Sequence, residues 1–479
     1  MLYELIQTMS RTEKRYFRMG ASFVYEKGSQ ELMKIFDMVS EQKIRDEKEI
    51  KKQVGSKYFA QKKKLLTEKI IDSLVFYHRG KSPESVLDHL ISSCAILMER
   101  GMHRVAEKKL DRAGKLAEEG GHIDRRIRIG QMKTELYAAT GNIDSLRKHI
   151  EKMQSDIPHL LAILDNDLII EKEYLQFVRT NSEKEFIRCA EELEELKKSA
   201  EILTRLNETG LSKKARSRYY YIAGIFNYLK GDFEESRNWF YKQVQLPDGM
   251  FYQMGHEVEK ARAIANLALL NLQTMRQSDF EESMVMLELF TSGSQGLDEQ
   301  NRGRMYLLRL LWFIKSEQFQ EAQRHMQNYS VMDWEEKNAL PVTERNLVLF
   351  GHITVHIMTG EYRKALRLVN EFLNNDDQAS KKDMHITARL LFLFLHEKLG
   401  NTEVVESRLD SLERYLKQNK RYFDFEKSSI NIIRKLISAE SNREKKRIWK
   451  EFHGLLEKHS LDPFDRNAMV YFDFRRWIG

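Results

Sequence analysis

The sequence predicts an all-α protein: an α-solenoid of helical hairpins with a small helical N-terminal domain and a helical C-terminal cap. Three observations carry this. A tight turn leading into a helix start recurs along the chain. Gly231-Asp232-Phe233-Glu234-Glu235-Ser236 returns as Ser278-Asp279-Phe280-Glu281-Glu282-Ser283, with looser copies at Glu317-Gln318-Phe319-Gln320-Glu321-Ala322 and Gly360-Glu361-Tyr362-Arg363-Lys364-Ala365. A regular repeat of helix, turn and helix marks a solenoid, in which no unit can bury its apolar face alone. Breakers are scarce: 23 glycines and 5 prolines in 479 residues, roughly half the usual share. The prolines, Pro83, Pro158, Pro247, Pro341 and Pro463, read as helix starts or stops. Finally, no long period-2 alternation bounded by hairpin turns occurs, so no sheet is expected.

Residues 1–80 read as a helical N-terminal domain or cap. Ser10-x-x-Glu13 is a capping box that opens a helix through Tyr16 and Phe17, because the serine hydroxyl and the glutamate satisfy free amides of the first turn. Further helices are expected over about 29–40 and 57–78, with a short one near 46–53. The turn marker then falls at Gly101, Gly141, about Asn181, Gly231, Ser278, Glu317, Gly360 and Gly400, in steps of about 43 residues, near the period of helical-pair repeats. This defines an array of eight hairpins over 85–415. A small residue soon after the turn (Ala106, Ser236, Ser283, Ala322, Ala365) lets the second helix approach the first. Residues 416–479 are expected to form the C-terminal cap: helices over about 421–438 and 443–458, then, after Pro463, the aromatic tail Tyr471-Phe472-Asp473-Phe474-Arg475-Arg476-Trp477-Ile478.

The copy Tyr220…Gly224…Gly231-Asp232-Phe233…Ser236…Phe240…Pro247 resembles a tetratricopeptide repeat, with its aromatic, small residue, Gly-Asp-Tyr-like turn, small residue, aromatic and terminal proline. The chain is thereby similar to tetratricopeptide-like repeat proteins of bacterial type, in a divergent form whose steps exceed the family's 34-residue period. The resemblance implies a right-handed superhelix with a concave groove where partners bind.

Composition narrows the function classes. Charged residues make up 32% and hydrophobic residues 42%, which permits a large core and a wet surface. No stretch approaches the run of about 20 apolar residues of a membrane helix, so no membrane insertion is expected. The start, Met1-Leu2-Tyr3-Glu4-Leu5-Ile6-Gln7, lacks the basic and apolar regions of a signal peptide. Cys94 and Cys189 are the only cysteines, which argues for a reducing, cytoplasmic setting. The net charge of +7 against 79 bases and 72 acids mildly favours acidic partners.

Motifs for catalysis or cofactors fail on inspection, and neither a catalytic residue, a cofactor nor a metal is expected. Gly80-Lys81-Ser82 lacks the earlier glycine of a phosphate loop, Val75 standing in its place. Gly293, Gly296 and Gly303 read as an inter-repeat connector. His352 and His356 have zinc-ligand spacing, but Ile353 stands where a zinc protease needs glutamate, and both face the following helix. Cys94 occupies a small-residue packing slot.

Two surfaces remain. Lys51, Lys52, Lys57, Lys62, Lys63 and Lys64 form a basic run interleaved with Tyr58 and Phe59. It could grip phosphates, although a solvated lysine face is the commoner meaning. The second is the set of first helices, which are apolar on both faces and so must be covered on both. The candidate partner groove comprises Tyr221, Ile225, Tyr228, Leu272, Met275, Leu307 and Leu311, with Arg218 and Arg304 at its edge. The expected function is a non-enzymatic scaffold that binds a protein or peptide. The alternative is a peptide-sensing signalling or transcriptional regulator whose basic N-terminal domain contacts nucleic acid or a second protein.

Overall fold

The structure, a computed structural model, describes residues 2–23, 29–40, 58–80, 83–183, 186–246, 256–290, 295–328, 340–374 and 382–478. Every regular element among them is helical and no strand occurs among them. The chain divides into two compact units, Met1–Ile157 and Pro158–Gly479.

The first unit opens with α1 (Leu2–Thr8), α2 (Arg11–Phe23), α3 (Ser29–Ser40) and α4 (Phe59–His78). Ser10 and Glu13 cap α2 reciprocally: the Ser10 amide donates to Glu13 Oε2 at 2.7 Å, and the Glu13 amide to Ser10 Oγ at 3.2 Å. Ile6, Phe17, Ile35, Phe36, Leu66 and Ile70 form the small core. The helix expected over 46–53 lies outside the described residues. Next come α5 (Pro83–Glu99), α6 (His103–Glu119) and α7 (Ile123–Ala139). Cys94, Ala106, Leu110 and Ala113 are fully buried where α5 meets α6, as the small-residue rule requires.

The helix α8 (Ile143–Glu183) departs from expectation twice. It is 41 residues long and contains Pro158, which was read as a helix boundary. It also continues through Asn181, where a turn was expected. Asn and Ser only weakly disfavour a helix, and without a glycine to take a left-handed backbone nothing stops this one there.

In the second unit, α9 (Ala190–Ser199) and α10 (Ile202–Arg205) lead, among the described residues, into six helical hairpins. They are α11 (Lys213–Lys230) with α12 (Phe233–Val244), α13 (His256–Gln273) with α14 (Gln277–Leu289), and α15 (Gln295–Lys315) with α16 (Phe319–Asn328). After them come α17 (Val342–Met358) with α18 (Tyr362–Asn374), α19 (Lys382–Lys398) with α20 (Thr402–Gln418), and α21 (Asp424–Ser438) with α22 (Asn442–Leu461). Each hairpin packs on the next, which makes an α-solenoid. A short 3₁₀ turn (Asp465–Met469) and α23 (Phe474–Ile478) end the chain. Gly296 and Gly303, expected in a loop, are helical in α15. A Cβ on Gly303 would stand 2.7 Å from Leu340, so this glycine serves close packing.

The turns follow one chemistry. Gly231 has φ +83; its amide bonds Tyr228 O at 3.0 Å and the Asp232 amide bonds Asn227 O at 2.9 Å. This paired closure needs a left-handed residue just past the helix. Gly101, Gly141, Gly360 and Gly400 hold the same conformation, while Met275, Glu317 and Lys420 adopt it without being glycine. At Gly224, Ser236 Oγ donates to the glycine carbonyl at 2.7 Å, and an added Cβ would meet Phe240 at 2.7 Å. Helices α11 and α12 are therefore in near-backbone contact.

Candidate functional site

The inner face of the second unit is built by the first helix of each hairpin. Tyr221, Ile225, Leu272 and Leu307 are buried there, and Tyr228 and Leu311 are half-buried. Met275 falls elsewhere: it is 47% exposed and occupies the left-handed turn after α13. The two arginines expected at the groove edge are spent within the chain. Arg218 pairs with Glu171, lies 3.9 Å from Glu259 and stacks over Tyr174. Arg304 is buried and bonds Glu344 at 3.1 Å, linking α15 to α17. Burial is the main reason the Arg218 pKa is lowered. Neither guanidinium is free to meet a ligand.

The part of this face around Tyr228, Leu272, Leu311 and Phe350 is faced by the chain's own C-terminal segment. Asn467 Nδ2 donates to Ile187 O at 2.8 Å, and Arg466 Nη2 to Gly231 O at 3.4 Å. Arg476 Nη1 donates to Ile314 O at 2.8 Å and to Lys315 O at 3.4 Å. These arginines seek the ends of α11 and α15, where carbonyls lack intrahelical partners and the helix dipole is negative. Phe472 and Phe474 are buried in the core formed with α19, α21 and α22. Tyr471 packs against Phe350, and Trp477 against Tyr362.

Between this segment and the inner face lies a partly open cavity of about 570 Å³. Tyr228, Leu269, Leu272, Leu311, Ile314, Leu347 and Phe350 supply its apolar wall, and Lys315, Gln273, Arg466, Asp473, Arg475 and Arg476 its polar groups. Its volume falls within the range of small-ligand sites. The spacing of the first helices points to Tyr228, Leu272 and Leu311 among these. Lys315 and the tail's part were not foreseen, because no local pattern says where a terminal segment returns.

A second cluster ties the ends of this unit together. Arg188 Nη2 bonds both oxygens of Glu426, at 2.8 and 3.0 Å, with both side chains essentially fully buried. Arg421 bonds Glu192 and lies 3.2 Å from Asp383. Arg188 also stacks over Phe423.

Of the basic run, Lys51, Lys52 and Lys57 lie outside the described residues. Lys62 is paired with Glu31 at 2.6 Å, and Lys64 lies 3.9 Å from Glu68. Lys63 is half-buried. In the same helix Leu66 and Ile70 are buried, while Leu65 and Ile71 are exposed.

The two histidines serve different partners. Tyr306 Oη lies 2.7 Å from His352 Nε2, and His356 Nδ1 is 2.6 Å from Glu361. Burial, with the nearby His356 and His325, lowers the His352 pKa to about 4. No metal-ligand cluster occurs among the described residues. Cys94 Sγ donates weakly to Ala106 O at 3.7 Å, and burial raises its pKa, away from thiolate reactivity. Burial also raises Cys189, which precedes α9. No helix among the described residues is long and apolar enough to cross a membrane.

No protein-family model matches the chain, and no curated protein matches it. Among solved structures it is similar to NprR in complex with its cognate peptide NprX, at 14% identity and a TM-score of 0.37. That match covers 71% of this chain and 94% of the other.

Proposed function

We propose that this protein is a non-enzymatic scaffold that binds another protein or a peptide, and that the inner-face cavity of its second unit receives an apolar segment of that partner. The observation that carries the reading is the cavity. It joins an apolar wall from four successive hairpins to a polar rim from the C-terminal segment. Apolar side chains entering it would leave water, at roughly 25 cal/mol per Å² of apolar surface, while the rim fixes their orientation. The remaining inner-face residues, Tyr221, Ile225 and Leu307, are already covered, so docking is confined to this cavity.

The test is to pan displayed random decapeptides against the purified full-length chain and against Leu311→Trp. Leu311 lines the cavity and is half-buried, so the indole fills space without entering a closed core. Peptides enriched on the parent protein are expected to lose binding to the variant while its thermal midpoint stays near the parent's. Failure to enrich peptides, or enrichment indifferent to the filled cavity, overturns the reading.

A further inference from the structure

The cavity is unevenly charged. Arg475 and Arg476 face Asp473, at 2.8 and 3.5 Å, and Arg476 also spends donors on the carbonyls of Ile314 and Lys315. Among the described residues Arg466 reaches a backbone carbonyl and no carboxylate. Lys315, at the end of α15, donates to Gln273 Oε1 at 3.3 Å and has no ion pair within 4 Å among the described residues, although the charge of Asp473 reaches it. An ammonium carries three donors and no acceptor, and a desolvated cation is costly unless paired. Burial, then the charge of Arg476, lowers the Lys315 pKa.

Taking the cavity as the partner site proposed above, we infer that its occupant is an apolar peptide segment carrying one anionic group, held by the Lys315 ammonium against the wall of Tyr228, Leu272, Leu311 and Phe350. Charge complementarity selects this occupant: four cations line the cavity, Lys315, Arg466, Arg475 and Arg476, against the carboxylate of Asp473. Glu457 and Glu317 pair with Arg475 and Arg476, whereas Lys315 and Arg466 have no ion pair among the described residues, and of these two it is Lys315 that stands beside the apolar wall at the end of α15. The apolar wall sets the rest of the segment. A cationic or uncharged polar segment would leave Lys315 unpaired and desolvate its own polar groups.

Two probes with the same aromatic body test the chemistry before any natural partner is known: anilinonaphthalenesulfonate, an anion, and phenylnaphthylamine, its uncharged parent. Each is titrated by fluorescence into the full-length chain and into Lys315→Met, Lys315→Arg and Leu311→Trp. The parent protein is expected to favour the anion by about tenfold, the worth of one charge-assisted hydrogen bond. Lys315→Met brings the two affinities together by weakening the anion alone, and Lys315→Arg keeps the preference. Leu311→Trp weakens both. If the anion preference survives Lys315→Met, the hold by Lys315 is overturned while the cavity reading stands. If Leu311→Trp leaves both probes bound as before, the cavity is not the site and both readings fall.

Discussion

His352 shows how a residue with metal-ligand spacing acts as a packing group. Its half-buried imidazole lies against α15, with Nε2 2.7 Å from the Tyr306 hydroxyl. Protonation there would place an uncompensated cation in a largely desolvated site beside His356 and His325. The folded pKa is about 4 against an ordinary 6.5, so between these values the unfolded chain takes up a proton that the folded chain refuses. The contribution is therefore fully present above about pH 6.5 and declines as the pH falls toward 4, by roughly 3 kcal/mol in all. Denaturant unfolding followed from pH 7 to pH 4 should show this loss. His352→Gln, which keeps a hydrogen-bonding partner for Tyr306 but does not titrate, should flatten the profile relative to the parent. Equal profiles would mean that the imidazole is not held neutral.

At the scale of elements, the turns decide how much of the fold is legible. Where glycine takes the left-handed position, as at Gly231, Gly360 and Gly400, sequence and structure agree on the turn. The near-identical segments beginning at Gly231 and Ser278 suggest equivalence, yet they stand three residues out of register. The left-handed residue after α13 is Met275, with the Arg276 amide bonding Asn271 O at 2.8 Å. Phe280, not Ser283, therefore takes the place of Ser236. Ser283 instead accepts from the Asn271 amide at 3.0 Å. Letter similarity misled because the signal that matters is the backbone conformation, which methionine adopts at a cost. Met275→Gly should remove that strain and raise the unfolding free energy by about 1 kcal/mol, without altering the helices. Since Met275 is exposed, little packing is lost to mask the gain. A decrease in stability by calorimetry would show that its side chain matters more than its backbone. The same limit hid the continuity of α8, where Pro158 and Asn181 resemble punctuation but long helical context outweighs them.

At the scale of the second unit, the apolar inner face legible in the first helices has an occupant that no repeat pattern could announce. Covering such a face requires chain from elsewhere, and around Tyr228, Leu272, Leu311 and Phe350 it comes from residues after Leu461. That segment could be a removable plug or a fixed wall, and its anchors distinguish the two. Phe472 and Phe474 are each 1% exposed, and each buried phenylalanine lost typically costs about 3–5 kcal/mol. Asn467 and Arg476 donate to the carbonyls of Ile187 and Ile314, bonds that removal would delete. The Arg188–Glu426 pair, buried beside Phe423, binds the beginning of this unit to α21 close by, and a broken buried pair is itself strongly destabilising. Nothing in this arrangement resembles a weakly held flap. A chain ending at Leu461 should therefore lose at least several kcal/mol of unfolding free energy, with a lower denaturant midpoint and gain of anilinonaphthalenesulfonate fluorescence from the uncovered inner face. A plug would give the opposite pattern: an unchanged midpoint and tighter binding of the peptides selected on the parent protein. The wall is the expected result, because a ligand cavity is useful only if both of its sides stay in place.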